Sequence, residues 1–434
     1  MRRRDWAPAF AGATMFAMLS SVALADTITV VTSFPKELTT AYKAAYEKKF
    51  PGDTVEILNK GTSAGIAYVR EQSAGSRADI FWASAPDAFE VLAGERLLQK
   101  VEVPTGNIPA KVGAYPINDP EGMYYGQALA GYGFMWNTRY LQANKLLPPK
   151  EWADLTKAIY HGHVATSSPS RSGTSHLTFE TILQGEGWDK GWTQILQIAG
   201  NCAAVTERSF GVPDGVQNGQ FGIGIVIDFF GLAAKASGFP TEFAYPSVTA
   251  IVPANIALIA GAKNPQGGKR FLQFTLSEEG QQLLLDPKIS RLPVLPAIYA
   301  KAPQGYPNPF DGSIRAKVNF DSNLSQSRYY LVSSLFDQVI TFRLKELQAA
   351  TKAIHDAEKR LGTRSSAQLE EAKKLAWTAP VSAQQAQDKA LLAAFAATKG
   401  DEAAVRRKTQ AEEEWNSKAR FNYLRAAELA NAAR

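Results

Sequence analysis

Three times between residues 27 and 97 an apolar, strand-like run empties into a turn of small or hydroxylated residues and then into a stretch with helical spacing. Thr27-Ile28-Thr29-Val30-Val31 leads into Thr32-Ser33-Phe34-Pro35 and a segment that carries Leu38, Ala41, Tyr42 and Ala45. Thr54-Val55-Glu56-Ile57-Leu58 feeds Gly61-Thr62-Ser63-Ala64-Gly65 and a helix with Ile66, Val69 and Arg70. Ala78-Asp79-Ile80-Phe81-Trp82 reaches Ser84-Ala85-Pro86-Asp87 and a helix from Ala88 to Leu97. A unit repeated in this way restricts the chain to an α/β lobe with a largely parallel sheet. The turns then gather at the carboxyl ends of the strands, where ligands sit in open α/β sheets.

From Tyr124 to Asn137 the chain alternates and is rich in Gly, as strands leaving the first lobe would be. A second α/β lobe follows. Val164 to Ser168 runs through Pro169–Ser175 into a helix starting near His176, and Gly222-Ile223-Gly224-Ile225-Val226-Ile227 ends on Asp228. Tyr245 to Ile259 returns the chain to lobe one, and two crossings make a hinge. The expected organisation is a signal peptide at 1–25, lobe one at 26–130, lobe two at 131–247, the return of lobe one at 248–310 and a helical extension at 311–434. In the extension strands vanish, Val332, Leu335, Phe336, Val339 and Phe342 form an apolar helical stripe, and Pro380 interrupts the later run. Read this way, the extension is an appended subdomain: its removal from about Asp311 spares ligand affinity, or else unfolds the lobes if the extension is their structural support.

The N-terminus shows where the mature chain works. Arg2, Arg3 and Arg4 precede an Ala-rich apolar stretch ending in Ala23-Leu24-Ala25, the pattern of a secretory signal peptide cleaved after Ala25, which implies a periplasmic protein. No later run is long and apolar enough for a spanning helix. The single cysteine, Cys202, leaves stabilisation to the apolar core. The net charge of +6 falls to +4 once the three Arg and Asp5 of the leader are removed. That excess suits capture of a small anion and is too scattered for nucleic acid.

Two stretches carry a family resemblance. Gly261-Ala262-Lys263-Asn264-Pro265, continuing to Phe271-Leu272-Gln273-Phe274-Thr275-Leu276-Ser277-Glu278-Glu279-Gly280-Gln281, resembles the closing helix pair of family 1 extracellular solute-binding proteins of ABC transporters, in the ferric, phosphonate and hexose-phosphate subgroup. Pro169-Ser170-Arg171-Ser172-Gly173-Thr174 resembles the Ser-Gly-Thr loop of that family. The resemblance covers about residues 27 to 300 and implies an α/β, two-lobed periplasmic binding protein (type II) with a C-terminal helical extension. The extension and the Arg208-Ser209-Phe210-Gly211-Val212-Pro213 run are also similar to the phosphoglycerate-transport regulatory proteins, which present ligand to a sensor kinase. The partners so implied are a small phosphorylated ligand and either the membrane permease of an ABC importer or a sensor kinase, without nucleic acid and without a cofactor.

The candidate ligand residues follow from the turns. Helix N-termini offer unpaired N–H groups to an oxyanion, and hydroxyls add donors. Ser33, Thr62, Ser63, Ser84, Ser172, Gly173, Thr174 and Ser175 are therefore candidates, although Ser and Thr also serve as ordinary caps. Arg208, beside Ser209, would give phosphate a bidentate contact, or else pair with a surface carboxylate. Asp228 would accept from ligand hydroxyls or cap a helix, and Phe34 and Tyr245 would wall the cleft or sit in the core.

Other chemistries fit less well. A ferric site needs oxygen ligands, yet Phe229-Phe230 stand where such binders carry tyrosines, and Tyr124 and Tyr125 would point to opposite faces of a strand. A polyamine remains an alternative cargo. His161-Gly162-His163 is a weak metal signal without a nearby cysteine or acid. Gly61-Thr62-Ser63-Ala64-Gly65 matches the nucleophile-elbow pattern but lacks its oxyanion loop and well-placed partners, so the chain reads as a binder and not an enzyme.

Overall fold

A computed structural model of the chain describes residues 26–397 and 401–434; the expected signal peptide lies outside the described residues. The first units fold as β1 (Asp26–Thr32), α1 (Lys36–Lys49), β2 (Asp53–Asn59), α2 (Thr62–Glu71), β3 (Ile80–Ala83) and α3 (Pro86–Gly94). β1 pairs in parallel with both β2 and β3. Short β4 (Leu98–Gln99) and a small hairpin, β5 (Lys111–Val112) with β6 (Tyr115–Pro116), lead to the long β7 (Tyr125–Asn137).

After α4 (Thr138–Ala143), capped by the Asn137 side chain, the second lobe forms from alternating strands and helices. These are β8 (Val164–Ser167) with α5 (Gly173–Glu186), α6 (Trp188–Gly200) with β9 (Cys202–Thr206), α7 (Gly211–Gln217) with β10 (Ile223–Ile227), and α8 (Asp228–Ala236) with β11 (Thr241–Ala244). The chain then returns through β12 (Ile251–Ile259), α9 (Pro265–Leu276), α10 (Glu278–Gln282) and β13 (Leu292–Pro293).

β7 joins the lobes because its two halves find different partners. Its first half, Tyr125 to Gly131, pairs with β12 beside β3, and its second half, Tyr132 to Trp136, pairs with β10. The sheet order is β2-β1-β3-β12-β7-β10-β8-β9, with β7 at the changeover. Tyr124 and Tyr125 are buried on opposite faces, one hydroxyl donating to Glu90 and the other to the Val101 carbonyl. The alternation expected of a strand accounts for that.

The extension contains α11 (Ser322–Ser327), α12 (Tyr329–Val339), α13 (Leu344–Leu361), α14 (Ala367–Trp377), α15 (Lys389–Ala396) and α16 (Glu402–Ala432). No helix among the described residues is long and apolar enough to cross a membrane.

Two expectations for this region need correction. The apolar stripe stops at Val339, since Phe342 is 51% exposed in the short turn that follows α12. The extension is also not a detachable appendage. Trp152, Phe179, Trp192 and Ile195 of lobe two share one continuous core with Phe336, Leu347, Ile354 and Trp415, and the Phe179 and Phe336 rings lie 4.7 Å apart. An amphipathic helix buries its apolar stripe against whatever apolar face is adjacent, and here that face belongs to lobe two.

Candidate functional site

Between the lobes an open groove of about 1120 Å³ runs between α1 and β2 on one side and α7 and α8 on the other. It adjoins a tight inner pocket through Pro35, Phe229 and Phe230. The inner pocket is lined by Ser33, Phe34, Gly61, Thr62 and Ser84 of lobe one and by Arg171, Ser172, Thr174, Arg208 and Ser209 of lobe two. The hydroxyl-bearing turns of both lobes therefore converge on one small space.

Local sequence explains the convergence. α2 starts at Thr62 directly after Gly61, and α5 starts at Gly173 after Ser172, whose hydroxyl accepts from the Ser175 N–H at 3.2 Å. Both helices present their N-terminal turns, with a partial positive charge and free N–H groups, toward the lobe junction. Glycine is needed there for close approach. A Cβ on Gly61 would stand 2.7 Å from the Arg171 carbonyl oxygen, and one on Gly173 would stand 2.7 Å from the Ala85 Cβ.

Ser63, Ser175, Asp228 and Tyr245 are placed elsewhere. The Ser63 hydroxyl is 3.1 Å from that of Tyr329 in the extension. The Ser175 hydroxyl bonds Ser167. Asp228 is buried at the start of α8, where one carboxylate oxygen accepts from the Gly131 N–H at 2.7 Å and the Tyr245 hydroxyl at 2.8 Å, and the other from the Phe229 N–H. Asp228 and Tyr245 thus brace the β7 changeover and do not line the inner pocket. Burial pushes the Asp228 carboxyl up to about 6 against these hydrogen bonds. Arg208 stacks over Phe210 at 4.6 Å and reaches across to the Asn59 side chain at 3.4 Å, with burial lowering its pKa.

The residue that sequence reasoning missed is Arg291, immediately before β13. It is 1% exposed, and its guanidinium lies between the rings of Phe34 and Phe229, 4.0 and 3.7 Å from their centroids, one from each lobe. One nitrogen, Nη1, donates to the Ser84 hydroxyl at 3.2 Å, while Nε and Nη2 have no partner among the described residues. Burial pushes its pKa down to about 9 despite the field of Asp228. A desolvated guanidinium with idle donors is costly unless an acceptor arrives, and this one borders the cleft. A signal was present in the sequence: Ser290-Arg291-Leu292-Pro293-Val294 sets a lone cation in an otherwise buried run.

Known proteins share this architecture. A phosphoglycerate transport regulatory protein, PgtC of Salmonella typhimurium, is 30% identical over 347 residues, covering 80% of this chain and 84% of that protein. The periplasmic binding protein AfuA of Actinobacillus pleuropneumoniae, solved with fructose-6-phosphate bound, superposes with a TM-score of 0.66 at 18% identity, over 73% of this chain and 99% of that one. The substrate-binding protein of an ABC transporter from Agrobacterium tumefaciens gives a TM-score of 0.61 at 22% identity, over 79% and 100%. Residues 76–310 match the family described as bacterial extracellular solute-binding protein. That match spans more than half of the chain and contains the β7 changeover, the Ser172 loop and Arg291, so the chain belongs to the bacterial extracellular solute-binding proteins, a periplasmic family of two-lobed ligand carriers.

Proposed function

We propose that this protein captures a small phosphorylated or phosphonate anion between its lobes and hands it, in the closed form, to the permease of an ABC importer. The observation that carries the reading is the buried Arg291 guanidinium, which lines the groove and bonds Ser84 of the adjoining hydroxyl-ringed pocket while Nε and Nη2 stay idle. A tetrahedral oxyanion satisfies all of these groups together, since charge-assisted bonds from arginine and neutral bonds from hydroxyls suit its several oxygens. A bare ferric ion or a polyamine would instead meet the positive charge of Arg291 and Arg208. The groove of about 1120 Å³ beside the pocket leaves room for an organic remainder larger than inorganic phosphate. The similarity to the phosphoglycerate transport regulatory protein runs over 347 residues, more than the two lobes contain, and favours a second reading in which the liganded form addresses a sensor kinase.

Thermal unfolding of the ligand-stripped mature chain against phosphorylated metabolites, phosphonates, sugars, polyamines and ferric citrate tests the reading. A ligand at 100 times its Kd adds about 2.7 kcal/mol, a clear upward shift. Stabilisation by phosphorylated compounds or phosphonates alone is the expected result; stabilisation by polyamine, sugar or iron alone refutes it.

A further inference from the structure

We infer that α11 and α12 of the C-terminal extension are positioning elements for the anion site: they clamp the pocket from behind and oblige the cleft to open on the other side, between α1 and α7–α8. The inference rests on the ligand lying between the lobes as proposed above.

Three of the helix starts that supply the pocket, those of α2, α3 and α5, also have a residue held by α11 or α12. Thr62 lines the pocket, and its neighbour Ser63 meets the Tyr329 hydroxyl at 3.1 Å. Ser84 lines the pocket, and Asp87, on the helix that follows, accepts from the Ser325 hydroxyl at 2.7 Å. Ser172 and Thr174 line it from lobe two, and His176, in the same turn of α5, has Nε2 3.2 Å from both Ser325 Oγ and Asp87 Oδ2. The His176 ring also lies 4.3 Å from that of Tyr329. Two outer ties complete the arrangement: Arg328 forms a buried ion pair with Glu180 of α5, and Arg70 of α2 donates to the Tyr330 hydroxyl at 2.6 Å. α11 and α12 therefore grip α2 and α3 of one lobe and α5 of the other.

Burial makes this edge hard to part. Asp87, His176 and Ser325 are all completely buried, so separating the lobes here would strand desolvated polar groups that now satisfy one another. Among the described residues the opposite edge shows no such buried junction. There the lobes face each other across the open groove, bridged by the long Arg208 to Asn59 contact at 3.4 Å. With β7 continuous across the lobes and α11–α12 fastening one side, rotation swings α7 and α8 away from α1. The hydroxyls of Thr62, Ser84 and Ser172 keep their spacing only while the clamp holds.

Spin labels on Lys48→Cys and Asn218→Cys, both exposed and on opposite banks of the groove, read the opening in the full mature chain, because Cys202 is buried and stays unlabelled. Distances are compared for the otherwise native chain, for Tyr329→Phe with Ser325→Ala, for each of those changes alone, and for Tyr423→Phe. The last removes a buried hydroxyl that bonds the Val339 carbonyl, at the far end of α12 from the clamp contacts. The expected result, without added ligand, is a longer and broader distance in the clamp variants and an unchanged one in Tyr423→Phe. Titration with 3-phosphoglycerate and with inorganic phosphate should show at least tenfold weaker binding in the double clamp variant and native affinity in Tyr423→Phe. Distances and affinities that match between clamp variants and Tyr423→Phe overturn the clamp and leave the anion reading standing. Failure of the native chain to bind either probe counts against the anion reading, and the ligand-free distances still decide the clamp.

Discussion

Arg291 and Asp228 set the electrostatics of the cleft by opposite means. Arg291 is a buried charge left short of acceptors, so Arg291→Gln should hold or raise the melting temperature of the ligand-free protein while weakening anion binding about tenfold to a hundredfold, the worth of roughly 1.5–3 kcal/mol in charge-assisted bonds. Calorimetric titration and thermal unfolding of the one variant check both signs. Asp228 has its carboxyl raised from 3.8 to about 6 by burial, so the folded protein keeps a proton that the unfolded chain has released between those values. Stability from this group is complete below about pH 4 and is lost as pH rises through about 6, on the order of 3 kcal/mol. Denaturant unfolding should therefore show Asp228→Asn gaining on the native protein between pH 4 and pH 7.5; parallel curves would contradict it. Ser33, Phe34, Thr62, Ser84, Ser172, Thr174, Arg208 and Ser209 were legible because each sits in a strand-to-helix turn or beside one, and they do line the inner pocket. Arg291 was not, because it follows no such turn and owes its position to the long return of the chain.

At the level of elements, the strand, turn and helix grammar carried most of the architecture, since a period-2 run followed by a capped 3.6-period run is specified locally. The approach of α5 to α2 and α3 was not written in that grammar, because it is a contact between lobes separated by more than eighty residues of sequence. Gly173 records it. A Cβ at this position would stand only 2.7 Å from the Ala85 Cβ and 2.8 Å from the Thr62 hydroxyl oxygen, so Gly173→Ala should strain the fastened edge, weakening ligand binding at least tenfold and lowering the melting temperature. Equal affinity in titrations of variant and native protein would mean that the lobes do not close to this distance when ligand binds. Ser63, Ser175, Asp228 and Tyr245 show the limit of reading turns alone: a hydroxyl or carboxylate at a helix start has several directions to face, and these are held by the extension, by β8 or by the β7 changeover.

Lobe two and the extension are built on one shared core. Removing 311–434 would expose Phe179, Trp188, Trp192 and Ile195 together, at about 1.5–3 kcal/mol for each large side chain, which approaches or exceeds the 5–15 kcal/mol net stability of a typical domain. The truncated chain should therefore be insoluble or melt far below the full one, as expression and thermal unfolding of both would show; a truncation with native stability would contradict the shared core. The helical character of this region was legible from composition and periodicity, but which surface its apolar stripe covers was not, because an amphipathic face does not name its partner. The central claim is that an oxyanion completes a site prepared by both lobes around Arg291. The most direct test is calorimetric titration of the ligand-stripped native protein and of Arg291→Gln with 3-phosphoglycerate and fructose 6-phosphate. Saturable one-to-one binding of at least one of them by the native chain, weakened tenfold or more in the variant, is the predicted result, and no binding of either, or equal binding by both proteins, would contradict it.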